Sequence, residues 1–445
     1  MPVFLQRQYR QPGKKEKKTC NLDILSFIFS LFKQPTKLSP VLMEKANNII
    51  IGGNSKLVRS INRATILNII RERQPISRVV ISKITRLNKS TVSNIVSELI
   101  KEEYLIEELV SDNKIGRNPL QLRLNQGRHF VGAINFDTNL IHVAIVNLNG
   151  KVLKQIEIQN SVAAPDEYVK KAINKLNRLK SELAIRALQG IGVTISGLID
   201  PVNGHVTVAP NLGWADVKLK ELFRKYDKSK TFIRFENDAD ASALGELWYG
   251  KGEIQTYSNF VFVSVGAGIG TGIVIDNKVI EGISYAAGEF GHMTLHENGL
   301  NCVCGEKGCW EAYASDKATL KRYLDRIKIS KSAKQRILID DVCNAANQGV
   351  SAAVAVIKET GKYLGEGIAN ILRALDPPVI VIGGRILQVW SIIYPEILKG
   401  LSKHSFFGLE KKVKILPSSL AERPRLIGSA TMALNEIFRD YRITR

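Results

Sequence analysis

The thirteen residues from Asn88 to Ile100 constrain this 445-residue chain more than any other stretch. Val92, Ile95, Val96, Leu99 and Ile100 fall at i, i+3, i+4, i+7 and i+8, the stripe of a helix that commits one face to a core. Asn88 stands where an N-cap belongs. The opposite face offers Lys89, Ser90, Thr91, Ser93, Asn94 and Ser97, short hydrogen-bonding groups in place of the long Glu and Lys pairs of a solvated surface. Short polar side chains let a helix lie deep in a major groove.

The flanks complete a unit around this helix. Ile66, Ile69 and Ile70 in RSINRATILNIIRER predict a first helix, stopped by Pro75. A second is expected from Ser77 to about Leu87, burying Ile81, Ile84 and Leu87. Two strand-like segments follow, YLIEELV and LQLRL, separated by SDNKIGRNP, which reads as a hairpin wing with a basic tip. Three helices and a wing over residues 51–126 form a winged helix-turn-helix; a helical capping subdomain with a solvated face is the alternative. Arg78, Lys89, Ser90, Thr91, Ser93, Asn94 and Arg117 are the candidate DNA contacts, with Arg117 at the wing tip suited to an adjacent minor groove.

Charge agrees with that placement. Residues 1–128 hold 23 Lys and Arg against 10 Asp and Glu, so +13 of the net +21 lies in this part of the chain. The first 50 residues carry no periodic pattern and are read as a disordered extension, of which residues 1–42 are expected to be dispensable. KKEKK followed by ILSFIFSLF imitates a signal sequence but lacks a small-residue cleavage site, and no apolar run reaches the roughly 18 residues of a membrane span. A cytoplasmic protein with no membrane contact is expected.

From Phe130 onward strands alternate with helices. FVGAINF and IHVAIVNLNGKVL form a hairpin-like pair, FVFVSV leads into the glycine-rich GAGIGTG at 266–272, and PPVIVIGG follows a long helix ending near Leu375. Residues 127–445 are therefore expected to form two α/β lobes with a cleft between them. Three of the five cysteines, Cys302, Cys304 and Cys309, fall within eight residues, a spacing for metal binding in a reducing compartment. Thiolates are soft ligands suited to zinc, and Gly305 and Gly308 let the backbone wrap around an ion. The fourth ligand must come from elsewhere; three buried free thiols are the alternative. Cys20 and Cys343 stand alone and are read as inert.

Taken in order, SKLVRSINRATILNIIRERQPISR, NKSTVSNIVSELI, APNLGW at 209–214, ENDAD at 236–240, GAGIGTG, AGEFGH at 287–292 and CVCGEKGCWE at 302–311 resemble the ROK family of bacterial repressors and sugar kinases, over nearly all of positions 54–440. The resemblance implies an α/β protein in which the winged helix-turn-helix precedes a bilobal actin-like ATPase domain, assembled as a homodimer or higher homo-oligomer. It supplies His292 as the fourth ligand of one structural Zn2+ per chain, held in a loop at 292–309. It also implies that Asn237, Asp238, Glu289, His292 and Glu311, and less strongly Asn211, hydrogen-bond a sugar.

In kinases of the family the aspartate matching Asp238 deprotonates the attacking sugar hydroxyl, so Asp238 is here a vestigial catalytic candidate. Those kinases carry an Asp-x-Gly-Gly-Thr-type turn whose glycines let backbone N–H groups reach ATP phosphates. The aligned residues here, Asn135-Phe136-Asp137-Thr138-Asn139, contain no glycine, and Asp240 replaces the usual asparagine of ENDAN. The resulting expectation is a sugar-responsive repressor of carbohydrate-utilisation genes, not an enzyme, released from double-stranded operator DNA by a monosaccharide, with xylose, glucose and N-acetylglucosamine all open. An ATP-dependent sugar kinase carrying a DNA-binding domain is the alternative, and a DNA-binding protein with a vestigial pocket the third reading. The short wing and degenerate loop lean toward repressors of xylose-type operons.

Overall fold

The structure, a computed structural model, describes residues 55–109, 120–138, 140–159, 164–229, 231–328, 330, 337–405, 408–420 and 424–439. The first 50 residues, the wing tip with Arg117, and Asn139 lie outside these residues.

Helices α1 (Ser55–Arg73), α2 (Arg78–Thr85) and α3 (Lys89–Lys101) form the predicted trio. Asn88 caps α3, its Oδ1 accepting from the Thr91 N–H at 2.7 Å, and Ser77 caps α2 through the Val80 N–H at 3.4 Å. Helix α2 stops two residues short of the apolar spacing because Arg86 takes a left-handed φ of 58°, and Ser82 Oγ then donates to the Leu87 carbonyl at 2.7 Å. Val92, Ile95, Val96 and Leu99 of α3 are each no more than 2% exposed, and burying such side chains stabilises by about 1.5–3 kcal/mol apiece. The wing strands β1 (Leu105–Leu109) and β2 (Leu120–Leu124) pair antiparallel, and β2 is tied to the helices by reciprocal backbone bonds between Ile76 and Leu122.

Strands β3 (Phe130–Phe136), β4 (Leu140–Asn147) and β5 (Val152–Gln159) form an antiparallel meander. After α4 (Pro165–Glu182), β6 (Gly190–Ile195) returns parallel to β3. A small sheet of β7 (Leu198–Asp200), β8 (His205–Ala209) and β9 (Trp214–Lys218) and then α5 (Leu219–Tyr226) lead to β10 (Phe232–Asn237), which completes the order β10-β6-β3-β4-β5. Helix α6 (Asp238–Tyr249) crosses to the second lobe.

There β11 (Phe260–Val265), β12 (Ile269–Ile275), β13 (Lys278–Val279), β14 (Val379–Gly384) and β15 (Lys414–Pro417) form a mixed sheet ordered β13-β12-β11-β14-β15. Its helices are α7 (Glu311–Ala314), α8 (Asp316–Arg326), α9 (Ile339–Asn347), α10 (Ser351–Leu375) and α11 (Trp390–His404). Strands β6 and β11 are buried along their whole length, which is why their sequences run apolar without alternating. The last helix, α12 (Pro424–Phe438), packs on β3, β6 and α6. Glycine permits that approach: a Cβ on Gly428 would collide with the Ala241 carbonyl, and one on Gly192 with that of Ser429. Among the described residues, no helix is long and apolar enough to cross a membrane.

Candidate functional site

A cavity of about 250 Å³ is lined by all six residues expected to meet a sugar, Asn211, Asn237, Asp238, Glu289, His292 and Glu311. Four segments distant in sequence bring them together.

Asn237 ends β10 and caps α6, its Oδ1 accepting from the Ala239 N–H at 2.7 Å while Nδ2 donates to the Gly197 carbonyl at 3.0 Å. Asp238 opens α6 at 4% exposure. Its Oδ2 accepts from Ser196 Oγ at 2.6 Å and pairs with Arg425 Nε at 3.1 Å. Glu311 opens α7, and its Oε2 accepts from the Ile269 N–H at 3.0 Å. Asn211 Oδ1 accepts from Lys317 Nζ at 2.6 Å.

The carboxyls differ in how readily they ionise. Burial pushes Glu289 up, with the neighbouring Asp238 and Glu311 charges adding to it against the pull of His292. Burial likewise raises Glu311, opposed in part by the Ile269 N–H. Asp240, also on the cavity wall, is held well above the usual range by burial and by Glu236, Glu281, Glu289 and Asp238 around it. The cavity wall thus brings carboxylate oxygens, the Arg425 guanidinium and the His292 imidazole together, so it offers both acceptors and donors to a hydroxyl.

The metal-ligand set is gathered at the edge of this cavity. Ligand atoms of His292, Cys302, Cys304 and Cys309 all lie within 4.8 Å of one another. Cys304 Sγ and Cys309 Sγ are 3.7 Å apart, and Cys302 Sγ is 3.7 Å from His292 Nδ1. A tetrahedron with zinc–sulfur bonds of about 2.3 Å has edges near that length, so the residues fit a closed four-coordinate ion. Gly305 and Gly308 adopt φ of 99° and 79°, and a Cβ on Gly308 would strike the His296 carbonyl, so the loop's tight turns need both glycines. Without an ion, burial holds the Cys302 thiol at about 12, which a cation would reverse.

The glycine-rich turn is filled from within the chain. Arg425 lies where a Cβ of Gly266 would be, Glu311 and Asn211 crowd the same position on Gly268, and Ala239 and Ala243 of α6 lie against Gly270 and Gly272. The first turn is similarly committed. Asn135 donates to Thr194 Oγ1 at 3.0 Å, and Asp137 pairs with Arg425 at 3.3 Å. Burial is the largest influence on Asp137 and raises it, but Arg425, the Thr138 N–H, His142 and Arg385 together outweigh it and keep the carboxyl below its ordinary value.

On the DNA-binding unit, Lys89, Ser90, Asn94 and Ser97 are exposed and Thr91 and Ser93 half-buried, all on the face away from the core. Arg78 is different. Its Nε pairs with Glu107 of the wing at 2.9 Å and NH1 donates to Ser93 Oγ at 3.3 Å, so it braces the wing against α3. Sequence reasoning missed Ser196 and Arg425 altogether, since neither belongs to a recognisable motif and both reach Asp238 only through the fold.

The family described as the ROK family matches residues 131–436, more than half of the sequence. The chain belongs to the ROK family. Among relatives of this ROK chain, the xylose repressor of Caldicellulosiruptor bescii is 31% identical over 86% of this chain and 98% of its own length. The xylose repressor of Bacillus subtilis is 29% identical over 85% of this chain and 96% of its own. A solved ROK family transcriptional regulator, described as a homolog of the E. coli MLC protein, superposes with a TM-score of 0.71 at 26% identity, covering 86% of this chain and 97% of that one. The similarity therefore spans the winged helix unit as well as the ROK domain.

Proposed function

We propose that this ROK chain is a sugar-responsive transcriptional repressor that binds operator DNA through α3 and the wing and is released by a monosaccharide in the cleft. The observation that carries the reading is the convergence of six polar side chains on one cavity in a chain whose α3 also presents an outward face of short polar groups. Two relatives named xylose repressors make D-xylose the first sugar to test.

In this reading Asp238 accepts a sugar hydroxyl while Glu289 and Glu311 meet its neighbours, and wrong stereoisomers leave those buried groups unpaired. Zn2+ on His292, Cys302, Cys304 and Cys309 is structural, one per chain, and supplies rigidity to the loop bearing Glu289 and Glu311. In a dimer, closure of the cleft alters the spacing of paired recognition helices, and two-fold operators tolerate little change in it.

We read the cleft as non-catalytic. At the first turn a nucleotide's phosphates would meet the Asp137 carboxylate where kinases of the family present glycine N–H groups, and Arg425 is already paired with Asp137 and Asp238. The kinase alternative rests on Asp238, which is buried on the cavity wall as a general base requires. A thermal-shift screen of unphosphorylated monosaccharides, with ATP turnover measured alongside, separates the two. Stabilisation by a sugar without ATP consumption supports the repressor, and sugar-dependent ATP turnover at ordinary kinase rates overturns it.

A further inference from the structure

Helices α6 and α12 lie side by side, in the same direction, and their two ends touch two different parts of the molecule. At their N-terminal ends Asp238 and Arg425 pair at 3.1 Å on the wall of the cavity. In the middle the helices meet backbone to backbone, where a Cβ on Gly428 would collide with the Ala241 carbonyl and one on Gly245 would press on the Gly428 amide. At their C-terminal ends Trp248 and Phe438 pack edge to face, with ring centroids 5.6 Å apart.

That aromatic corner holds the DNA-binding unit. The Arg71 guanidinium of α1 lies 3.9 Å from the Trp248 ring centroid and 5.8 Å from that of Phe438. Asn68, one turn earlier in α1, donates to the Phe438 carbonyl at 3.0 Å. The apolar core is continuous across the same junction, since Ile66, Leu67 and Ile70 of α1 share one cluster with Leu434 and Phe438. Twelve residues of α6 span about 18 Å, so a rigid element with a contact at each end bridges the cavity and α1.

We propose that Arg425 is a ligand-reading residue of the sugar site, and that the paired helices α6 and α12 carry its displacement to Arg71 and thereby to the recognition helix. The proposal rests on the repressor reading for its physiological meaning. A sugar hydroxyl that takes a share of Asp238 competes with Arg425 for the same carboxylate, and Arg425 is also held by Asp137 at 3.3 Å and by Ser264 at 3.2 Å. A helix pair locked at glycines cannot absorb that change by sliding, because backbone packed on backbone leaves no side chain to yield. The displacement is delivered to Arg71, which lies against both helix ends, and α1 packs on α3.

The test is a double-mutant cycle on the full chain, measured as affinity for a duplex that the wild-type protein has selected from random sequence. Arg425→Met, far from any DNA contact, is expected to change operator affinity by about 5-fold or more without sugar. In an Arg71→Met background the same substitution is expected to change it less than about 2-fold, whereas independent sites give multiplying effects. Arg425→Lys, which keeps a cation beside Asp238, is expected to restore most of the wild-type affinity and guards against a simple folding defect. A parallel arm uses D-xylose as the probe: Arg71→Met should bind it as tightly as the wild type yet release the duplex less than about 2-fold. Multiplying effects in the cycle, or full D-xylose release by Arg71→Met, overturn the relay and leave the repressor reading standing. Binding of D-xylose by the wild type without any release of the duplex contradicts the repressor reading, whatever the cycle shows.

Discussion

His292 turns Nδ1 toward the Cys302 sulfur at 3.7 Å and Nε2 toward the Glu289 carboxylate at 3.9 Å, so one imidazole serves the metal knuckle with one nitrogen and the cavity with the other. In the proposed reading this joins the metal knuckle to the sugar cavity through one side chain. Cys304→Ala leaves two thiolates and a histidine, too few for a closed tetrahedron, and is expected to lower zinc content from one ion per chain to none. Sugar response should be lost while operator binding persists. Elemental analysis of protein purified without chelator checks the first part, and a finding of no zinc in the wild type would refute it.

The recognition face gives a second prediction. Asn94→Ala is expected to weaken operator binding by about 1–3 kcal/mol and relax specificity at one base pair, while Lys89→Ala should weaken all sequences alike and reduce the salt slope by about 1. Arg117→Ala should cost a similar 1–3 kcal/mol if the wing enters a groove. Binding isotherms at several salt concentrations separate these effects.

Arg78, by contrast, is expected to act on stability. Its partner Glu107 and the Ser93 hydroxyl are left without their donor in Arg78→Ala, so the melting temperature should fall. Operator specificity should not relax. A variant of unchanged stability that tolerates new base pairs would return Arg78 to the set of base contacts.

Stability should fall as pH rises, through Glu236. Burial lifts this carboxyl from 4.5 to about 8, with Glu281 adding to the effect and the Asn237 N–H opposing it. The folded state therefore holds a proton that the unfolded chain has released, so the contribution is fully present below about 4.5 and is lost as pH rises through about 8. Glu236→Gln keeps a carbonyl oxygen for the Asn237 N–H and removes the titration. Its melting temperature should vary less than that of the wild type between pH 6 and about 8.5, which calorimetry in matched buffers would read directly.

Much of this was legible in the sequence because local physics wrote it there. The α3 stripe, the Asn88 cap, the whole-length burial of FVFVSV and the two positive-φ glycines of the knuckle each follow from spacing or from a single residue's conformational freedom. The end of α2 was less legible, since Arg86 enters the left-handed region without a glycine to announce it. The pairing of Arg78, a candidate DNA contact in the sequence, with Glu107 was not legible there, because its partner is 29 residues away on the wing. Ser196 and Arg425 were invisible for the same reason: they meet Asp238 across 42 and 187 positions of chain, a relation no window of sequence contains.

In the proposed reading a sugar in the cleft and DNA on α3 bind the same molecule antagonistically. Operator affinity of the full chain should be titrated with and without saturating D-xylose, with Glu289→Ala measured in parallel. The wild type should lose affinity about 5- to 150-fold with sugar, as expected for a coupling of about 1–3 kcal/mol, and Glu289→Ala, which still binds the operator, should lose none. Equal operator affinity with and without a sugar that demonstrably occupies the wild-type cleft would contradict it.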